Sequence, residues 1–91
     1  DTGDYKKSFS SLEQSLTTYK KHFPENHVKI GGVLVFLGNL HRTYGDYNKA
    51  IKLLEKGLFI YKKNFPKDHI GVGWILCHLG ITSMELGELK K

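Results

Sequence analysis

The chain has 91 residues, 40% hydrophobic and 25% charged, which is about one small domain of ordinary globular composition and not a disordered tail. Its one cysteine, Cys77, excludes an internal disulfide, and 14 basic against 9 acidic residues give a charge of +5 that admits acidic partners without naming one. A bilayer-crossing helix needs about 20 apolar residues. The charge-free run 30–40 has eleven, three of them glycine, so no membrane span is expected. No basic-then-apolar leader is visible, and an intracellular, cytoplasmic setting is the expectation.

The first segment opens on Gly3-Asp4-Tyr5 and carries apolar residues on one helical stripe, which predicts a helix from about Asp4 to His22. Lys20 and Lys21 end it, where cations suit the negative end of the helix dipole. Phe23-Pro24 stops it, and a second helix is predicted from about Asn26 to Tyr44. Gly45-Asp46-Tyr47 then restarts the pattern. Asp46 is the expected N-cap of a third helix, whose stripe is Tyr47, Ala50, Ile51, Leu54, Leu58 and Tyr61. Lys62, Lys63 and Phe65-Pro66 close that helix. Asp68 is the expected cap of a fourth, with Ile70, Val72, Ile75, Leu76, Leu79 and Leu86 as its main apolar positions.

These elements are two copies of one unit. Residues 3–44 align without gaps on 45–86, with 17 identities in 42 pairs, and 87–91 begin a third copy as Gly87-Glu88-Leu89. Glycine inside a helix costs roughly 0.5–1 kcal/mol, so the glycines need a use. Gly38 and Gly80 are expected to allow close helix approach, opposite the small pairs Ser8/Ala50 and Ser15/Gly57. Gly3, Gly45 and Gly87 are expected in turns with positive φ. Gly31, Gly32, Gly71 and Gly73 fall in first turns that are expected to be soft.

The run Leu34-x-x-Leu37-Gly38, followed by Gly45-Asp46-Tyr47, Ala50-Ile51, Leu54 and Gly57-Leu58, resembles a tetratricopeptide repeat. Ordinary repeats of that family have 34 residues. The longer period and the Phe-Pro-x-x-His linkers (Phe23 to His27 and Phe65 to His69) are similar to the 42-residue repeats of kinesin light chain. Val28 and Ile70 stand where that family usually has proline after the linker histidine, and only Asn39 remains of its asparagine-rich run.

The resemblance implies an all-α fold, a right-handed α-solenoid fragment of four antiparallel helices. It implies a concave groove lined by Gly32, Val35, Phe36, Asn39, Arg42 and Thr43. The equivalents in the next repeat are Trp74, Cys77, His78, Ile81, Met84 and Glu85. Trp74 and Phe36 would be apolar anchors, Asn39 and His78 hydrogen-bonding groups, and Arg42 a carboxylate partner. The plainer alternative is that some of these side chains only pack against an adjacent helix. Trp74 has the strongest claim, because it replaces Gly32 and is therefore not demanded by the repeat.

No catalytic constellation is visible, and no enzyme, cofactor or metal is expected. The five histidines show no zinc-site spacing, and His27 and His69 are better read as hydrogen-bonding at helix starts. Cys77 and His78 are neighbours on a helix and point about 100° apart, so they form no dyad. Lys7, Lys20, Lys21, Lys49, Lys62, Lys63 and Lys91 recur at repeat positions. They are expected to be a solvated basic ridge, and nucleic-acid or anionic-surface binding ranks behind that reading because only one arginine is present.

The function expected is a non-catalytic protein–protein interaction scaffold that takes a partner peptide or helix in the groove. The alternative is an architectural spacer or self-association segment of a longer array. Neither end carries a polar cap, so the segment is expected to be a fragment of a longer array. Phe9 and Leu12 at one end, and Leu86 and Leu89 at the other, are expected to lack cover and to permit self-association.

Overall fold

The computed structural model describes residues 2–90. It is all-α, with helices α1 (Thr2–His22), α2 (Val28–Thr43), α3 (Tyr47–Asn64) and α4 (Ile70–Leu89), and no strand occurs among the described residues. Successive helices pack on one another. The α2·α3 contact is the most extensive, and α2 also touches α4.

The two linkers have the same construction. The Phe23 amide donates to the Tyr19 carbonyl at 2.8 Å, and the Phe65 amide to the Tyr61 carbonyl at 2.9 Å, each closing the last turn of its helix. Proline follows and ends the helix, because it has no amide to continue the ladder. His27 and His69 then fold back onto their phenylalanines, stacked at 4.1 and 4.0 Å between ring centroids. In each, Nδ1 accepts the orphan amide two residues on, from Lys29 at 3.1 Å and Gly71 at 2.9 Å. An accepting Nδ1 places the ring proton on Nε2. The histidines are therefore the N-caps of α2 and α4. Asp68, expected in that role, lies one residue before the cap. Asn26 has φ +67°, a left-handed conformation that asparagine tolerates. Asn64 Nδ2 donates to its carbonyl at 2.8 Å and pins the linker to α3.

Asp46 caps α3 as expected, with Oδ1 accepting from the Lys49 amide at 3.4 Å. Of the three glycines expected in turns, only Gly45 has positive φ, at +89°. Gly3 and Gly87 lie inside α1 and α4, since no tight reversal occurs at either place.

The core is organised by missing side chains. A Cβ on Gly57 would lie 2.5 Å from Val35 Cγ2, one on Gly31 2.8 Å from Ile60 Cγ2, and one on Gly38 3.0 Å from Leu54 Cγ. The backbones of α2 and α3 thus approach where either carries no side chain. Two clusters flank this seam. One is Ile30, Leu34 and Ile60, covered by Leu16, Tyr19, Phe23 and Leu53. The other is Val35, Leu54 and Ile75, covered by Leu58, Tyr61 and Leu79. Gly31 and Gly71, expected in soft turns, are sites of close approach instead, Gly71 lying against the Tyr61 ring.

Two further expectations need correcting. Phe9 is half-buried, with its ring edge-on to buried His41 at 5.1 Å, and Leu86 is also half-buried, whereas Leu89 is exposed. Helix α4 is long and apolar enough, by length and composition, to cross a membrane. Its mean hydropathy is 1.3, and 17% of that segment is buried inside the fold. The expectation of no such helix rested on the run 30–40. In the second repeat Gly71 replaces Lys29 and Met84 replaces Arg42, which lengthens the charge-free stretch.

Two predictions follow from this packing and are read by thermal unfolding in dilute solution. His69→Ala should lose about 1 kcal/mol, the usual worth of an N-cap, which is about 4–8 °C in a domain of this size, and His69→Asn should recover most of the loss. Gly57→Ala should cost roughly 1–3 kcal/mol by overpacking, whereas Gly80→Ala, with nothing within 4 Å, should gain about 0.5–1 kcal/mol. Equal effects at Gly57 and Gly80 would contradict the seam.

Candidate functional site

The resemblance directs attention to the surface shared by α2 and α4, where the structure places most of the expected residues together. Phe36 is 56% exposed and Trp74 37%. Their rings meet in a T-shaped contact at 6.1 Å. Trp74 in turn meets His78 edge-on at 5.3 Å. The result is a continuous row of three rings from two helices. It arises because position 32 is glycine in the first repeat and tryptophan in the second.

At the other end of these helices Arg42 Nε donates to Glu85 Oε1 at 2.7 Å. The two side chains are 26% and 38% exposed, so the bond tethers α2 to α4 but lies partly in water. Two buried side-chain atoms of these helices, Asn39 Oδ1 and His78 Nδ1, have no hydrogen-bond partner among the described residues. Such atoms are uncommon in folded proteins. Ile81 is half-buried, Thr43 and Met84 are exposed, and Gly32 is half-buried.

Val35 and Cys77 depart from this surface. Val35 is fully buried, with 0% exposure, beneath the Gly57 backbone, and it lines no groove. The reason is helical geometry: Val35 and Phe36 are about 100° apart around α2, so one faces α3 when the other faces outward. Cys77 occupies the equivalent place on α4 and is exposed.

A further cleft lies elsewhere, between the end of α1 and α3, with a volume of 790 Å³. Its floor is the nearly buried Ile30, Leu34 and Ile60, and Lys20, Lys52 and Lys56 stand at its rim with Glu25 and Glu55. Of its lysines the repeat pattern singled out only Lys20; Lys52 and Lys56 join it because α1 and α3 both pack on α2. The repeat-matched Lys7, Lys20, Lys21, Lys49, Lys62 and Lys63 are all exposed, with Lys63 Nζ 4.9 Å from the Phe59 ring centroid. Lys91 lies outside the described residues. Among the described residues no group of three or more His, Cys, Asp or Glu could hold a metal ion.

No family model matches this chain, and a search of curated proteins finds no match.

A double-mutant cycle on Arg42→Ala and Glu85→Ala should give a coupling of at most about 1 kcal/mol, as for other partly exposed ion pairs. A coupling several times larger would show that the pair is a structural lock and not a tether.

Proposed function

We propose that the chain is a non-catalytic interaction scaffold, built of tetratricopeptide-like helix pairs, and that the α2/α4 surface binds an extended peptide or a helix of a partner protein. The observation that carries this reading is the exposed ring row Phe36–Trp74–His78. Large aromatic side chains bury much area at small entropic cost and dominate binding energy at interfaces. Here the helix packing does not consume them. Arg42 and Glu85 supply charge of both signs at one end. In this reading the partner presents an apolar residue to the rings.

The reading differs from a kinesin-like peptide mode in its chemistry. The asparagine-rich run that grips a peptide backbone in that family is reduced here to Asn39, and aromatic surface takes its place. The alternative of a spacer or self-association segment is favoured by a separate observation, the open face of α4 described below.

Trp74 is the only tryptophan, so its fluorescence reports directly on the surface. Peptides selected from a displayed random library against the wild-type chain should shift the Trp74 emission in a saturable way. Phe36→Ala should weaken those peptides by about 2 kcal/mol, roughly 30-fold, and Arg42→Glu should change which charged peptides are selected. If selected peptides bind Phe36→Ala unchanged and leave Trp74 emission unmoved, the surface is not the binding site.

A further inference from the structure

Helix α4 repeats the sequence of α2 but not its surroundings. On α2 the face Gly31, Leu34, Val35 and Gly38 is buried against α3. One period on, the same face of α4 is Gly73, Leu76, Cys77 and Gly80, at spacings i, i+3, i+4 and i+7. All four are exposed, Leu76 to 48%, and Met84 beside them to 63%. A Cβ on Gly73 or Gly80 would meet nothing within 4 Å, whereas Gly31 and Gly38 are pressed against Ile60 and Leu54. The face is shaped to receive an α3-type helix and holds none among the described residues.

Within the chain, α1 is the repeat equivalent of α3, with 10 identities over the 20 pairs 3–22 and 45–64. The α3 side chains that enter the seam are Ala50, Leu54, Gly57 and Ile60. On α1 the same positions are Ser8, Leu12, Ser15 and Thr18. Ser8 and Thr18 are exposed, and Leu12 and Ser15 half-buried.

The sizes compensate. In the seam Gly57 can carry no Cβ because Val35 Cγ2 fills that place. On the outer faces Ser15 adds a small side chain where Cys77 removes one branch of the valine. Thr18 is smaller than Ile60 where it would meet Gly73, and Ser8 is close to Ala50 in size where it would meet Gly80. The hydroxyls carry no large burial cost, since serine and threonine on helices bond back to the carbonyl four residues earlier. Thr82, fully buried in α4, already does so to the His78 carbonyl at 2.6 Å.

We propose that the Gly73–Leu76–Cys77–Gly80 face of α4 binds α1 of a second copy of the chain, which repeats the α2·α3 seam between molecules. The contact joins two different surfaces. It is therefore head-to-tail and does not close on itself, and it leads to a ladder of oligomers as concentration rises. It uses a different side of α4 from Trp74, His78 and Glu85, so a failure of this contact leaves the peptide surface untouched. The face is also apolar enough to meet a lipid bilayer. The glycine and serine register favours a helix, because a fluid lipid surface has no use for matched notches.

The test uses the 91-residue chain in sedimentation, with circular dichroism to confirm that each variant keeps its helix content. Wild type should grow from monomer through dimer to larger species with concentration, and alkylation of Cys77 should slow in step. Gly80→Trp and Ser8→Trp, which block the two surfaces, should each remain monomeric alone. Mixed together they should form a one-to-one dimer and nothing larger, since each keeps one intact surface. A wild-type chain that stays monomeric at all concentrations would overturn the proposal. So would continued association of Ser8→Trp alone, which would place α4 and not α1 on the face. Protection of Cys77 by neutral phosphatidylcholine vesicles, with none from added protein, would assign the face to lipid and overturn it as well.

Discussion

The close approach of α2 and α3 is the constraint on which the rest of the molecule depends. Where Gly57 meets Val35 and Gly31 meets Ile60, no atom can be added to either glycine without moving a neighbour. Such a seam fixes rotation as well as distance. With Val35 turned under Gly57, Phe36 must face outward, and the opposite side of α2 is left for α1. The fully buried Val35, Leu54 and Ile75 come from three helices, so α4 is positioned by the same contact.

The surface follows from that rotation. α2 and α4 present equivalent sides to solvent, and what they carry there is free of packing duty. The substitution of tryptophan for glycine between positions 32 and 74, and of histidine for phenylalanine between 36 and 78, turns a repeated side into one patch of mixed rings. The linkers hold the two helices in register through one device, a histidine that stacks on phenylalanine and caps the next helix. Each copy of the unit thus begins its second helix from the same rigid start.

The repeat made the four helices, their approximate ends, the Asp46 cap and the packing role of Gly38 and Gly57 legible in the sequence, whereas Gly80, expected in the same role, meets nothing within 4 Å. The resemblance to tetratricopeptide repeats pointed to Phe36, Trp74, His78, Arg42 and Glu85, which do meet across α2 and α4. What it hid were differences between equivalent positions. Val35 and Cys77 align, yet among the described residues one is sealed under α3 and the other is exposed. Gly3 and Gly87 align with Gly45, yet only Gly45 reverses the chain. The Asp68 cap was misplaced because an aspartate is the stronger statistical N-cap, while the stacked phenylalanine holds His69 in that role. The cleft beside Lys52 and Lys56 depends on how α1 and α3 flank α2, which no single-helix pattern encodes.

The seam is tested most directly by residue-resolved amide hydrogen exchange of the wild-type chain in dilute solution. Helix α2 is covered on both sides by α1 and α3, and α4 only on one. The amides of α2 and α3 should therefore be the slowest, and they should exchange together as one cooperative unit. Those of α4 should open at lower free energy, its outer Gly73 and Gly80 positions first. Exchange of α4 as slow as that of α2 would contradict the account, since it would mean that the exposed glycine face is not a vacant counterpart of the seam.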